Sequence, residues 1–400
     1  MRSVQITLFL TVFLYLLGFG VMIPLVPHMG RDLGASSTEA GLLMATYSLM
    51  QFLFAPFWGR LSDRLGRRRV LLTCLGLEIF TYAAFFWVRD LASLFVLRAL
   101  TGFFGASLST ANAAMADATD SQNRSKGMAL IGAAFGLGFV IGPAIGGGLS
   151  VLAETLSTAP HFKTGFVGLS VSFLFLLTFI FAYFKFPETL KKENRQTENK
   201  SKFLVIFEKF KNPSLRAPMV AFFLLTFSMA CMESTLVYFM VDRFQWTLKE
   251  TSFGFAFIGI VMVFTQGFLV RKLLPRWGEL KVLLIFIPVF CLGMAVIAPA
   301  MSLTLLAVSM TLIALGIGHA NPSLNGTISL LSNEKEQGAT LGVTQSLSSL
   351  GRIVGPGLGG WLYGMSPGVP FYFATGLGLG AWWLIWAHRK SLPSTAKGSK

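Results

Sequence analysis

Long apolar runs separated by short polar loops make up most of this chain. A helix crossing a bilayer needs about 20 mostly apolar residues. Twelve runs meet that measure. The first half predicts spans at about 6–27, 38–59, 70–89, 91–115, 126–152 and 164–186, and the second half at about 215–241, 249–270, 280–299, 301–325, 338–363 and 369–387. The one long polar break, 187–214, divides them six plus six and carries a short amphipathic stretch at 203–210, expected as a surface helix. The expected organisation is an N-terminal six-helix bundle over 1–186, a linker over 187–214, and a C-terminal six-helix bundle with a short tail over 215–400. The first apolar run begins like a signal peptide, but it lacks a small-x-small cleavage site and continues to Pro24, so it is expected to remain as a span.

Composition supports this reading. Hydrophobic residues make up 54% of the 400 and charged residues only 13%, against roughly 25% charged in soluble domains. Mean hydropathy is +0.65. A soluble enzyme, a DNA-binding protein and a disordered scaffold are excluded. The net charge of +15 lies in loops. Of the 33 Lys and Arg, 26 fall in the termini, the linker and every second loop, 5 in the opposite loops, and two, Arg98 and Arg352, inside spans. Cytoplasmic loops hold the excess of basic residues, so both termini are expected in the cytoplasm. Cys74, Cys231 and Cys291 each sit in an apolar run without ligand spacing, and read as small hydrophobes rather than a disulfide or zinc set.

An internal repeat strengthens the six-plus-six division. Gly138, Gly142, Pro143, Gly146, Gly147 and Leu149 reappear 213 positions later as Gly351, Gly355, Pro356, Gly359, Gly360 and Leu362. Small residues at four-residue intervals signal close helix contact. Transporters built from two such halves place the substrate near the membrane midplane between them.

The stretch Gly59-Arg-Leu-Ser-Asp63-Arg64-Leu-Gly66-Arg67-Arg68 resembles the signature loop of the major facilitator superfamily, G-x-x-x-D-R-x-G-R-R, at every defined position. Arg98-Ala-Leu-Thr-Gly102 resembles that family's R-x-x-x-G motif. Gly138, Gly142, Pro143, Gly146 and Gly147 resemble its antiporter motif, and Met232-Glu233-Ser-Thr is similar to the acidic stretch of quinolone-type multidrug exporters. The resemblance covers essentially the whole chain. It implies an all-α membrane fold of twelve helices in two pseudo-symmetric six-helix bundles, and export of small amphipathic organic molecules in exchange for protons. A dedicated metabolite or sugar as cargo, or an uncoupled facilitator, stay as alternatives. Two departures stand out. Tetracycline-type members carry an Asp in helix one, where this chain has Tyr15, and their helix-three Asp aligns with Thr81, one turn from Glu78.

Gly59, Asp63, Arg64, Gly66, Arg67 and Arg68 are then candidates for a conformational latch. Asp63 is expected to accept from helix N-terminal N–H groups and nearby Arg, Gly66 to permit a tight turn, and Asp117 to join the Asp63–Arg64 cluster. Ionisable groups at mid-bilayer are costly and rarely persist without a role. Glu233 is the leading coupling candidate, since a carboxyl moving between apolar and hydrated surroundings binds and releases a proton; the alternative is a packing group. Arg352 is a candidate partner for Glu233, or else binds backbone carbonyls. Arg98 acts on the proton path or as an interhelical donor. Glu78 is a second carrier or a packing group, and His319 a titrating group or a satisfied hydrogen-bonder. Tyr47, Gln51, Asn112, Tyr238, Gln266, Asn321, Asn325 and Gln345 are candidates for the substrate cavity.

No Walker loop, HExxH or Ser/His/Asp set is present, which argues against an enzyme and an ATP-driven pump. The expectation is a monomer in a bacterial inner membrane, taking a small-molecule substrate and protons, with no metal, other cofactor or nucleic acid.

Overall fold

The computed structural model describes residues 2–119, 124–190, 213–332 and 337–392. Among them no strand occurs. We number the helices α1 (Arg2–Asp32), α2 (Ser37–Leu65), α3 (Arg67–Ala84), α4 (Leu91–Asp117), α5 (Arg124–Leu156), α6 (Pro160–Lys185), α7 (Pro213–Phe244), α8 (Leu248–Phe264), α9 (Val270–Ile297), α10 (Leu303–Leu330), α11 (Gln337–Met365) and α12 (Val369–Ala387). Ten helical stretches among the described residues are long and apolar enough to cross a membrane. One of the ten, Leu248–Ile297, contains two of the expected spans. It passes through a π-helical turn at Thr265–Leu269 and breaks at Gly278, whose φ of 73° only glycine adopts readily. The other expected span, α11, is a full-length helix that falls outside the ten because polar residues interrupt it.

Local chemistry sets several helix starts. Ser36 and Glu39 form a reciprocal capping box at α2, Asp90 accepts from Ser93 N–H at α4, and Ser302 accepts from Leu305 N–H at α10. The outside of the protein is apolar. Phe80, Trp87, Phe184 and Met301 are each more than 60% exposed, an arrangement suited to lipid and not to water. The three cysteines are free and buried.

The chain divides into two compact units. The first holds Met1–Glu198 with Met240–Gly259, and the second Asn199–Phe239 with Ile260–Lys400. In the first, Leu16, Val21, Met22, Leu75, Tyr82 and Phe175 belong to one continuous core. Residues 240–259 join this unit through specific contacts: Arg31 pairs with Asp242 at 2.5 Å, and His28 Nε2 lies 3.1 Å from Thr251 Oγ1. A Cβ on Gly147 would touch Ser252, and one on Gly259 would meet Val140 Cα at 2.6 Å. In the second unit α9 and α10 approach closely through Gly293, which faces Ile313, and Gly316, which faces Phe290. Most of the expected 187–214 linker, including the surface helix at 203–210, and the end of the tail lie outside the described residues.

Candidate functional site

The signature loop turns at Gly66, where φ is +102° and ψ 149°. That conformation is essentially reserved for glycine, and it starts α3 with Arg67 turned inward. Arg67, buried to 7% exposure, binds Asp63 at 2.5 Å, Asp117 at 3.0 Å and Ser62 Oγ at 2.6 Å. Asp117 was expected to join Asp63 and Arg64. It joins Asp63, but through Arg67, while Arg64 lies on the exposed side of α2. Nor does Asp63 cap α3. That role falls to Glu188, whose Oε1 accepts from Arg67 N–H at 2.9 Å and whose Oε2 accepts from Arg68 N–H at 3.3 Å. Arg68 is held by the Tyr183 carbonyl at 2.5 Å, with the Tyr183 ring 5.6 Å away. Sequence reasoning passed over Glu188. The available signal was an acid just after Pro187, at the point where the sixth apolar run ends. Gly59 faces open space within 4 Å.

The repeated glycines perform the same packing in each unit. Along α5, a Cβ on Gly138 would sit 2.8 Å from Leu16 Cβ, and one on Gly142 2.7 Å from Gly20 Cα, both in α1. Gly146 faces Val21, and Pro143 lies within the same helix. Along α11, a Cβ on Gly355 would sit 2.7 Å from Ala230 Cβ, and one on Gly359 2.7 Å from the Cys231 carbonyl oxygen, both in α7. Contacts this short leave room for hydrogen only.

In the first unit Gly102 lets α4 close onto α2, its Cα facing the Tyr47 backbone. This puts Arg98, 1% exposed, on Leu43 O at 3.3 Å and 4.8 Å over the Tyr47 ring. Gln51 Nε2 donates to Tyr47 Oη at 3.3 Å and to Gly105 O at 3.2 Å. Glu78 is fully buried and accepts from Tyr15 Oη at 3.3 Å. Tyr15 lies in the first apolar run. Its place in this cluster was not foreseen, although a hydroxyl inside the first apolar run was a legible signal. Asn112 is half-buried.

In the second unit Glu233 is half-buried on α7, close enough to Arg352 of α11 for their charges to interact. Arg352 also donates to Ser348 Oγ and Ser349 Oγ, each at 3.3 Å. His319 is buried, with Nδ1 2.7 Å from Leu315 O and its ring stacked 3.7 Å from Phe286. Tyr238 packs edge-on to Tyr363 with ring centroids 6.1 Å apart. Gln266, Asn325 and Gln345 are exposed and Asn321 is half-buried. Among the described residues no group of His, Cys, Asp and Glu is arranged to hold a metal ion.

Comparison with known proteins agrees with the fold. The family profile described as Major Facilitator Superfamily matches residues 8–351 and 268–400. The chain is 30% identical over 374 residues to the class B tetracycline resistance protein of Escherichia coli, covering 91% of this chain and 89% of that one. It is 28% identical over 409 residues to multidrug resistance protein 2 of Bacillus subtilis, covering 98% and 96%. The crystal structure of the human organic anion transporter MFSD10 is similar at a TM-score of 0.70 and 26% identity, over 96% of this chain and 99% of that one.

Proposed function

Given that this chain belongs to the Major Facilitator Superfamily, and so is a multi-pass transporter for a small molecule, we propose that it exports small amphipathic organic compounds in exchange for protons. Its similarity to tetracycline and multidrug resistance proteins over about nine-tenths of its length supports the cargo class. The observation that carries the coupling is the half-buried Glu233 within electrostatic range of Arg352. When Glu233 is ionised, Arg352 neutralises it. When Glu233 takes a proton, the attraction ends, and α7 and α11 lose one restraint between them. Alternating access then couples a proton entering from one side to a substrate leaving by the same side. The latch around Arg67 favours one of the two conformations. The protein works as a monomer in a bacterial inner membrane with both termini in the cytoplasm. It uses no cofactor beyond the proton and binds no nucleic acid.

The test is efflux of a fluorescent amphipathic dye from proteoliposomes under an imposed pH gradient, comparing wild type with Glu233→Gln. The expected result is gradient-driven efflux in wild type and its loss in the variant, with downhill exchange of dye retained. Full gradient-driven transport by Glu233→Gln removes Glu233 from the mechanism.

A further inference from the structure

In the second unit a tryptophan ties α12 to α9. Pro288 lacks an N–H, so it leaves the Leu284 carbonyl of α9 without its helical donor. The Trp382 indole of α12 fills that place, donating to Leu284 O at 3.0 Å. Lys281 lies three residues before Leu284 and Trp386 four residues after Trp382, about one helical turn in each case. Successive spans alternate in direction, so α9 and α12 run oppositely and both steps lead toward the same end of the unit. There the Lys281 ammonium is 5.4 Å from the centre of the Trp277 ring, and the Arg389 guanidinium is 4.4 Å from that of Trp386. Trp382 and Trp386 stack with ring centroids 6.4 Å apart. Lys281, Trp386 and Arg389 are all exposed. Apolar side chains continue both rows away from that end. Ile285 and Leu292 follow Lys281 on one face of α9, and Leu379 precedes Trp382 and Trp386 on one face of α12, all three exposed.

The protein supplies these cations with no anion. Residues 337–400 contain no Asp or Glu, and residues 251–333 contain one, Glu279. Glu279 is turned toward α10, where a Cβ on Gly326 would lie 3.4 Å from its Cγ. Among the described residues neither Lys281 nor Arg389 forms an ion pair. Tryptophans settle at the boundary between hydrocarbon and headgroups, so a cation lying on such a ring stands at the depth of the lipid phosphates. A charge placed only to orient the chain needs no ring beside it and no tie between two helices. We propose that the α9–α12 face binds one anionic phospholipid, its phosphodiester received by Lys281 and Arg389 and an acyl chain lying along Ile285, Leu292 and Leu379. The guanidinium fork suits phosphate oxygens, and the ammonium adds a point charge. The rings restrain both long side chains and so lower the entropy lost on binding. A zwitterionic lipid brings its own ammonium, which cancels the attraction. This site lies apart from the transport reading and does not depend on proton coupling.

The test is native mass spectrometry of the full chain in detergent micelles, titrated with phosphatidylglycerol or phosphatidylcholine. The expected result is one phosphatidylglycerol bound with a Kd about 30-fold lower than that of phosphatidylcholine, the effect of two cations at a membrane surface. Lys281→Gln combined with Arg389→Gln brings phosphatidylglycerol to the level of phosphatidylcholine and leaves phosphatidylcholine itself unchanged. Arg69→Gln combined with Lys185→Gln removes the same charge from exposed positions of the first unit and keeps the tight binding. Trp386→Leu keeps every charge and weakens phosphatidylglycerol binding about threefold, because Arg389 loses the ring it lies on. Excess glycerol phosphate does not displace the lipid, since it has no acyl chain. Four results overturn the proposal: equal affinity of the parent for the two lipids, equal losses in the two double variants, an unchanged Kd in Trp386→Leu, or displacement by glycerol phosphate. The readout needs no transport, so it is separate from the dye experiment on Glu233.

Discussion

Replacing Gly66 by alanine tests how the signature loop is built. The substitution does two things. It puts a side chain on a residue at φ +102° and ψ 149°, a backbone region that costs a non-glycine residue about 1–3 kcal/mol. It also places a Cβ against Glu188, overlapping Oε2 and lying 2.9 Å from Cδ. The carboxylate must then swing away from the Arg67 and Arg68 N–H groups it caps. Glu188 is solvent-exposed, so losing this cap costs near the lower end of the usual range, about 0.5–1 kcal/mol. The total for Gly66→Ala is about 1.5–4 kcal/mol. In a Glu188→Ala background the cap is already gone, and only the backbone strain is left. The two substitutions are therefore non-additive, with the double variant about 0.5–1 kcal/mol more stable than the sum predicts. The assay is equilibrium unfolding of the purified chain in mixed micelles with increasing SDS, followed by circular dichroism on all four members of the cycle. An equal cost of Gly66→Ala in both backgrounds, or a cost below about 0.5 kcal/mol in the parent, refutes this account of the turn.

The same unfolding assay reads further substitutions. Gly142→Ala and Gly355→Ala each push apart a helix pair in which the new Cβ would sit 2.7 Å from its neighbour, and each lowers stability by about 1–3 kcal/mol. Gly148→Ala meets nothing within 4 Å and is neutral or stabilising by up to about 1 kcal/mol through helix propensity; a loss there equal to that at Gly142 means that close approach is not the reason for these glycines. Arg67→Ala leaves Asp63 and Asp117 facing each other without a cation. Their side chains are 38% and 28% exposed, so the cost falls below that of a fully buried pair, at about 1–3 kcal/mol, and Arg67→Lys recovers only part of it because an ammonium lacks the guanidinium fork.

The apolar period sufficed to place the twelve long helices of the described residues, because lipid imposes a length that one segment reveals by itself. The glycine repeat was readable for a similar reason. Close packing at four-residue spacing is a property of a single helix, and α5 and α11 use it against α1 and α7 as their sequences suggest. The polar partnerships were not readable. Glu188 reaches Arg67 across 121 positions, and Tyr15 reaches Glu78 across 63. Asp117 selects Arg67 over Arg64 through the turn at Gly66, which aims one side chain inward and leaves the other in solvent. A hydrogen bond depends on tenths of an ångström and on direction, and both are fixed only once separate helices have packed.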